Sequence, residues 1–135
     1  MKSQLLPVTD NITEVLLMIL DFTRCRHKIL IENLNNVNNK AYTPKDLDVK
    51  GFADVINSAL SEHLRSGRLA LVDTDTVRFK DNGNFNASAV VDVSARDLFE
   101  TDVEQYLELQ KKKLSENSLN SRLAAELLRR KQSNN

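Results

Sequence analysis

Few side chains in this 135-residue chain are of types that carry reaction chemistry. Cys25 is the one cysteine and sits between Arg24 and Arg26. Basic neighbours favour a thiolate, but a lone cysteine makes no intramolecular disulfide and no thiolate metal cage. His27 and His63 lie far apart with no HExxH spacing around either, so both read as solvated rather than metal-bound. The Asp46-x-Asp48 and Asp73-x-Asp75 pairs offer oxygens suited to a divalent cation, but both lack the glycine and final glutamate of a calcium loop. The sequence has no Gly-rich phosphate loop and no nucleophile motif. An enzyme needs convergent polar groups, and this set points away from one, with neither cofactor nor metal expected.

The charges give a similar answer. Lysine plus arginine equals aspartate plus glutamate, at 19 each. Phosphate-tracking proteins carry a basic excess, because neutralising phosphates supplies most of their affinity, so nucleic acid is not an expected partner. Lys111-Lys112-Lys113 and Arg129-Arg130-Lys131 read as solvated runs, since three successive helical residues point in three directions. The longest apolar run, Val15 to Leu20, is far short of the roughly 20 residues that span a bilayer. No basic stretch precedes it and no small-residue cleavage site follows, so neither a cleaved leader nor a membrane span is expected.

Positioning falls to helices. Apolar residues make up 41% of the chain and aromatics 5%, with no tryptophan, so the core must rest on Leu, Ile and Val. Three glycines and two prolines disfavour a turn-rich β protein. The spacing predicts a helix over 10–38, capped by Asp10 or Asn11, with a stripe of Ile12, Leu16, Ile19, Leu20, Leu30, Leu34 and Val37. Charges from Arg24 to Lys28 interrupt that stripe, and asparagines from Asn33 to Asn39, followed by Thr43-Pro44, end the helix. A shorter helix is predicted over 52–64, stopping at Gly67. Alternation through Leu69, Leu71, Val77 and Phe79, then Phe85, Ala87, Ala89, Val91 and Val93, predicts a hairpin turning at Asp81-Asn82-Gly83-Asn84. From 98 to 131, residues Val103, Leu107, Gln110, Leu114, Asn117, Ser121, Ala124 and Leu128 step by four and three, the spacing of a coiled-coil seam.

The expected fold is mainly α. Long N- and C-terminal helices pair as an antiparallel, coiled-coil-like bundle, with a short middle helix and a small β-hairpin between them. Three segments follow: 1–43 with the first helix and the asparagine-rich turn, 44–97 as a variable middle, and 98–135 with the last helix and tail. A half-filled seam sits near balance against the ordering cost of about 1–2 kcal/mol per residue, so both terminal segments are expected to be partly unfolded in the free monomer.

The stretch Arg26–Tyr42, RHKILIENLNNVNNKAY, resembles the N-terminal signature of bacterial flagellar rod, hook and related axial proteins. In that family an Arg-bearing helix runs into an asparagine-rich break similar to N-I-A-N-A-N-T-P-G-Y, and here Asn33, Asn36, Asn38 and Tyr42 match in register. Lys45-Asp46-Leu47-Asp48 resembles the K-x-D-x-D-F continuation of proximal rod members, and Ser115-Glu116-Asn117-Ser118 falls at the family's A-x-N-like C-terminal element. Lys40 and Ala41 stand where the family usually has proline and glycine, and Asn35 and Val37 replace small alanines.

The resemblance implies a structural subunit of the basal-body rod, passed unfolded through the flagellar type III export channel without a cleaved signal peptide. Such a subunit polymerises helically in the periplasm and serves motility. Its partners would be itself, other rod proteins, and export-gate and membrane-ring proteins at the rod base. The assembly interface would comprise Leu16, Ile19, Leu30, Asn33, Leu34, Asn36, Val37, Asn38 and Tyr42 from the first helix and turn, with Val103, Leu107, Leu114, Asn117 and Leu128 from the last. A soluble helical adaptor or chaperone-like protein of a secretion system is the alternative.

Overall fold

The computed structural model describes residues 11–79 and 85–133. Among them the architecture is mainly helical, with two small antiparallel strand pairs. Helix α1 runs Asn11–Asn35, strand β1 is Lys45–Leu47, and helix α2 is Val49–Ser66. Strands β2 (Val77–Phe79), β3 (Phe85–Ala87) and β4 (Ala89–Val91) follow, then α3 (Val93–Thr101) and α4 (Val103–Ser133). The expected cap Asp10 and the expected turn over 81–84 lie outside the described residues.

α1 stops at Asn35, three residues short of the expected end, because its last amides turn tighter. Val37 N–H donates to Leu34 O at 3.2 Å and Asn39 N–H to Asn36 O at 2.9 Å, so the asparagine run forms successive turns. Asn39 Oδ1 accepts from Ala41 N–H at 3.1 Å, and Tyr42 N–H donates to Asn39 O. Pro44 is buried at the end of this turn and releases the chain into β1.

α2 is longer than its apolar pattern predicts, starting at Val49 rather than 52. Asp48 is the reason: its carboxylate accepts from Gly51 N–H at 2.9 Å and supplies an N-cap one turn earlier. Gly67 closes the helix in the left-handed conformation at φ 78°, where a side chain is disfavoured. Phe52, Val55, Ile56 and Ala59 are its buried face, as the spacing implies.

The apolar core joins Val15, Met18 and Phe22 of α1 to Leu47, Phe52, Ile56 and Val77. Phe22 and Phe52 stack with ring centroids 4.0 Å apart. Val15, Met18 and Phe22 lie deeper than the expected Ile12, Ile19 and Leu20, because α1 serves two neighbours and buries a wide arc.

The hairpin is smaller than expected and the strands divide differently. β2 pairs with β3, Val77 opposite Ala87, but Leu69 and Leu71 lie outside any strand and pack on the core from a loop. After Ser88 the chain leaves the hairpin, and β4 pairs with β1, Lys45 opposite Val91. β1 has no alternating signal of its own, since both Asp46 and Leu47 are buried.

The single helix expected over 98–131 is two helices. Asp92 caps α3 through Ala95 N–H at 3.1 Å, and α3 ends at Asp102, whose φ of −152° is extended. Asp102 Oδ1 then accepts from Gln105 N–H at 3.2 Å and starts α4. α4 packs along α1 in the opposite direction: Tyr106 and Gln110 meet Asn33, and Asn117 meets Thr23.

Candidate functional site

Between α1 and α4 lies a line of buried polar groups. Asn33 has no exposed surface and uses its whole amide. Its Nδ2 donates to Lys45 O at 2.8 Å and to Gln110 Oε1 at 2.9 Å, while its Oδ1 accepts from Tyr42 Oη at 2.6 Å and Lys45 N–H at 3.2 Å. One side chain thus binds the turn, β1 and α4 together. Tyr106 Oη donates to the Asn33 carbonyl at 3.0 Å, and its ring meets Phe99 edge-on at 4.9 Å. Burial first, with the charges of Tyr42 and Asp92, pushes the Tyr106 phenol up to about 12. Gln110 Nε2 is the one buried side-chain polar atom without a hydrogen-bond partner among the described residues.

One turn along, four charges close a clasp. Arg26 reaches Asp46 with both ends of its fork, Nε to Oδ1 at 2.8 Å and Nη2 to Oδ2 at 2.9 Å. The two side chains are 8% and 9% exposed. Lys113 Nζ bonds Asp46 Oδ2 at 2.9 Å and also the Asp92 carboxylate that caps α3. Burial alone would raise the Asp46 pKa, but hydrogen bonds from Arg26 and Lys113 outweigh it and hold the carboxyl below its ordinary range. For Lys113 burial works downward, and its bonds to Asp92 and Asp46 prevail and raise it. The clasp joins α1, β1, the start of α3 and α4, and its formal charges sum to zero. Further on, Asn117 Nδ2 donates to Thr23 O at 2.7 Å.

The proposed interface residues are divided among burial classes. Leu16, Leu30, Asn33 and Asn117 are buried between elements of this one chain. Ile19, Leu34, Asn36, Val37, Tyr42, Leu107, Leu114 and Leu128 are half-buried, while Asn38 is exposed. Val103 opens the predicted stripe yet is 45% exposed, because Tyr106, one turn on, takes the inward place. Asn36 turns back to its own helix, donating to Glu32 O at 2.9 Å.

Sequence reasoning missed Arg26, Asp46, Asp92, Tyr106 and Lys113 as partners. Lys111 and Lys112 are exposed, as a solvated run should be, but Lys113 points inward. Its position was readable: 113 lies three beyond Gln110 and four before Asn117, on the same helix face. The aspartate pairs have structural work. Asp46 is in the clasp, Asp48 caps α2, and Asp73 Oδ1 accepts from Phe79 N–H at 2.8 Å. Cys25 and His27 are exposed and His63 half-buried.

Beside the polar line an apolar groove of about 310 Å³ opens between α1, α2 and the far half of α4. Leu16, Ile19, Phe52 and Ile56 form its floor, and Leu123 and Leu127 its rim at 54% and 49% exposed. No described helix is long and apolar enough to cross a membrane. Comparison with known families, curated proteins and solved structures finds no match to this chain.

Proposed function

We propose that this chain is a structural subunit of the bacterial flagellar basal-body rod, exported unfolded and polymerising helically through its terminal helices. The observation that carries the reading is the convergence at Asn33. Asn33 and Tyr42 of the asparagine motif, and Asp46 of its continuation, are the residues that tie the turn to α4. Two of the four matching motif positions, with Asp46, therefore help fasten the turn to α4, while Asn36 bonds its own helix and Asn38 is exposed. In this reading α1 and α4 pair in a coiled-coil-like manner, which the burial of Gln110, Asn117 and Ala124 at seven-residue spacing, beside buried Tyr106, supports. Such a pair, repeated head to tail without closing, builds a helical tube. Its partners are other copies, neighbouring rod proteins, and export-gate and membrane-ring proteins at the base of a periplasmic rod.

The apolar groove favours a second reading, a soluble helical adaptor of a secretion system that receives a partner's helix there. Mass spectrometry on purified hook–basal bodies from the source cell separates the two. Recovery of the chain at a few copies per particle supports the rod subunit. Its absence from those particles, with recovery as a soluble monomer, overturns it in favour of the adaptor.

A further inference from the structure

The exposed charges of this neutral chain are partly sorted along its length, with Arg96, Lys111 and Lys112 standing beside the carboxylates of one corner. Asp97, Glu100, Glu104 and Glu108 surround the corner where α3 meets α4, and all are exposed. No salt bridge reaches any of them among the described residues. At mid-length a cleft of about 250 Å³ between α1 and α4 is lined by Arg24, His27 and Arg122, with Ser118 and Ser121 between them. Arg24 pairs with exposed Asp21 at 3.0 Å, while His27 and Arg122 have no charged partner among the described residues.

Helix dipoles explain only part of this sorting. A carboxylate at Glu104, in the first turn of α4, is favoured there, as are Arg130 and Lys131 in its last turn. Glu100 is different: it lies in the last turn of α3, where the dipole disfavours negative charge and no basic residue offsets it, and Asp97 sits mid-helix beyond the favourable first turn. Arg122 lies well before the end of α4 and answers to no terminus. Nor can the two groups neutralise each other within one molecule. From Glu104 to Arg122 is about 27 Å of helix at roughly 1.5 Å per residue, against a screening length near 8 Å at physiological ionic strength. The carboxylates and the cleft are complementary, and only a second molecule can bring them together.

We propose that the acidic α3–α4 corner of one copy docks into the Arg24–His27–Arg122 cleft of the next, making the longitudinal contact of the assembly. Guanidinium groups receive carboxylates with paired hydrogen bonds, and Ser118 and Ser121 add donors at the cleft floor. The contact is heterologous, since donor and acceptor patches differ, so each copy keeps one free corner and one free cleft. This inference rests on the self-assembling reading above and specifies where the copies touch.

Paired charge reversals test it. In one variant Arg24 and Arg122 become Glu, making corner and cleft both acidic; in the other Asp97, Glu100, Glu104 and Glu108 all become Arg, making both ends basic. All six sites are exposed, and circular dichroism checks that the helices are retained. By light scattering and sedimentation velocity, the wild-type chain is expected to assemble, less so as salt rises. Each variant alone should need at least about a tenfold higher concentration, and an equimolar mixture should co-assemble again, because every contact then joins opposite charges. If the wild type assembles and both variants assemble equally well alone, or the mixture fails to recover, the docking contact is wrong while the self-assembling reading survives. If the wild type stays monomeric at every concentration and salt, the self-assembling reading falls and the contact with it.

Discussion

Asn33 and Gln110, 77 residues apart in the chain, meet in a 2.9 Å hydrogen bond at positions with no exposed surface. The bond is unequal in what each residue stakes on it. Asn33 holds three further partners, whereas Gln110 brings one accepted bond and leaves its own Nε2 unpaired. Asn33→Ala should therefore cost about 3 kcal/mol or more, since it strands Lys45 N–H and two side chains. Gln110→Met, which also removes an unsatisfied donor, should cost less than about 1.5 kcal/mol. Urea denaturation of the two variants measures the contrast, and equal losses would refute it.

The clasp sets a pH window. Asp46 has a folded pKa below its ordinary 3.8, so its stabilisation is complete above about pH 4 and is lost as pH falls through the lower folded value. Lys113 has a folded pKa above 10.5, so its share is complete below that value and lost as pH rises through the higher folded one. Tyr106, raised from 10.0 to about 12, adds a loss over that interval. Melting temperature should hold a plateau between roughly pH 5 and 9 and fall on both sides. Asp46→Asn should lower the plateau by about 3–5 kcal/mol, because it leaves Arg26 buried without its carboxylate. It should also make the acid limb shallower. Replacing Arg26 by Met and Asp46 by Leu together should recover much of the loss.

Gly51 is intolerant of a side chain for a local reason. A Cβ there would stand 2.2 Å from Asp48 Oδ2, the atom that also accepts from Thr76 Oγ1 at 3.0 Å. Gly51→Ala should displace the Asp48 carboxylate from both bonds and cost about 1–2 kcal/mol, despite alanine's better helix propensity. Denaturation would show it, and a stabilised variant would contradict the geometry.

Hydrogen exchange on dilute protein should show a gradient along α4. From Tyr106 to Asn117 the helix is fixed by the Asn33 bonds, the clasp and the Thr23 carbonyl. Among the described residues over 119–133 only Ala124 is buried. Amides over 106–117 should exchange slowly and those over 120–133 fast, with protection spreading to the end upon assembly. Uniform protection in the monomer would count against a far half that orders on assembly.

Much of the helical plan was legible because periodicity reports burial. The buried face of α2 follows from spacing alone, and of the eight seam positions expected from Val103 to Leu128 three, Gln110, Asn117 and Ala124, are buried. Boundaries were less legible where a single cap decides them: Asp48 moves the start of α2 and Asp102 divides the last helix. β1 was hidden because a three-residue strand has no room to alternate, and its pairing with β4 because the two lie far apart in the sequence. The clasp was hidden for a different reason. Arg26 and Asp46 look like surface charges in a string of letters, and only the fold puts them in one buried place. Lys113 was obscured by its neighbours, since a run of three lysines looks uniform although the helix turns one of them inward.

The seven-residue spacing of the buried α4 residues Gln110, Asn117 and Ala124 has a consequence for misalignment. If α4 slid by seven residues along α1, Asn117 would replace Gln110 opposite Asn33, an amide for an amide, and Ala124 would replace Asn117. That shifted pairing would keep most of the interlocking shape. It fails where the residues differ: Lys113 would be driven into the tight space held by Tyr106, Asn120 would face Asp46 with no charge to offer, and Lys131 would take the buried place of Ala124. Tyr106 and Lys113 thus act as proofreading teeth on a helix whose other contacts nearly repeat.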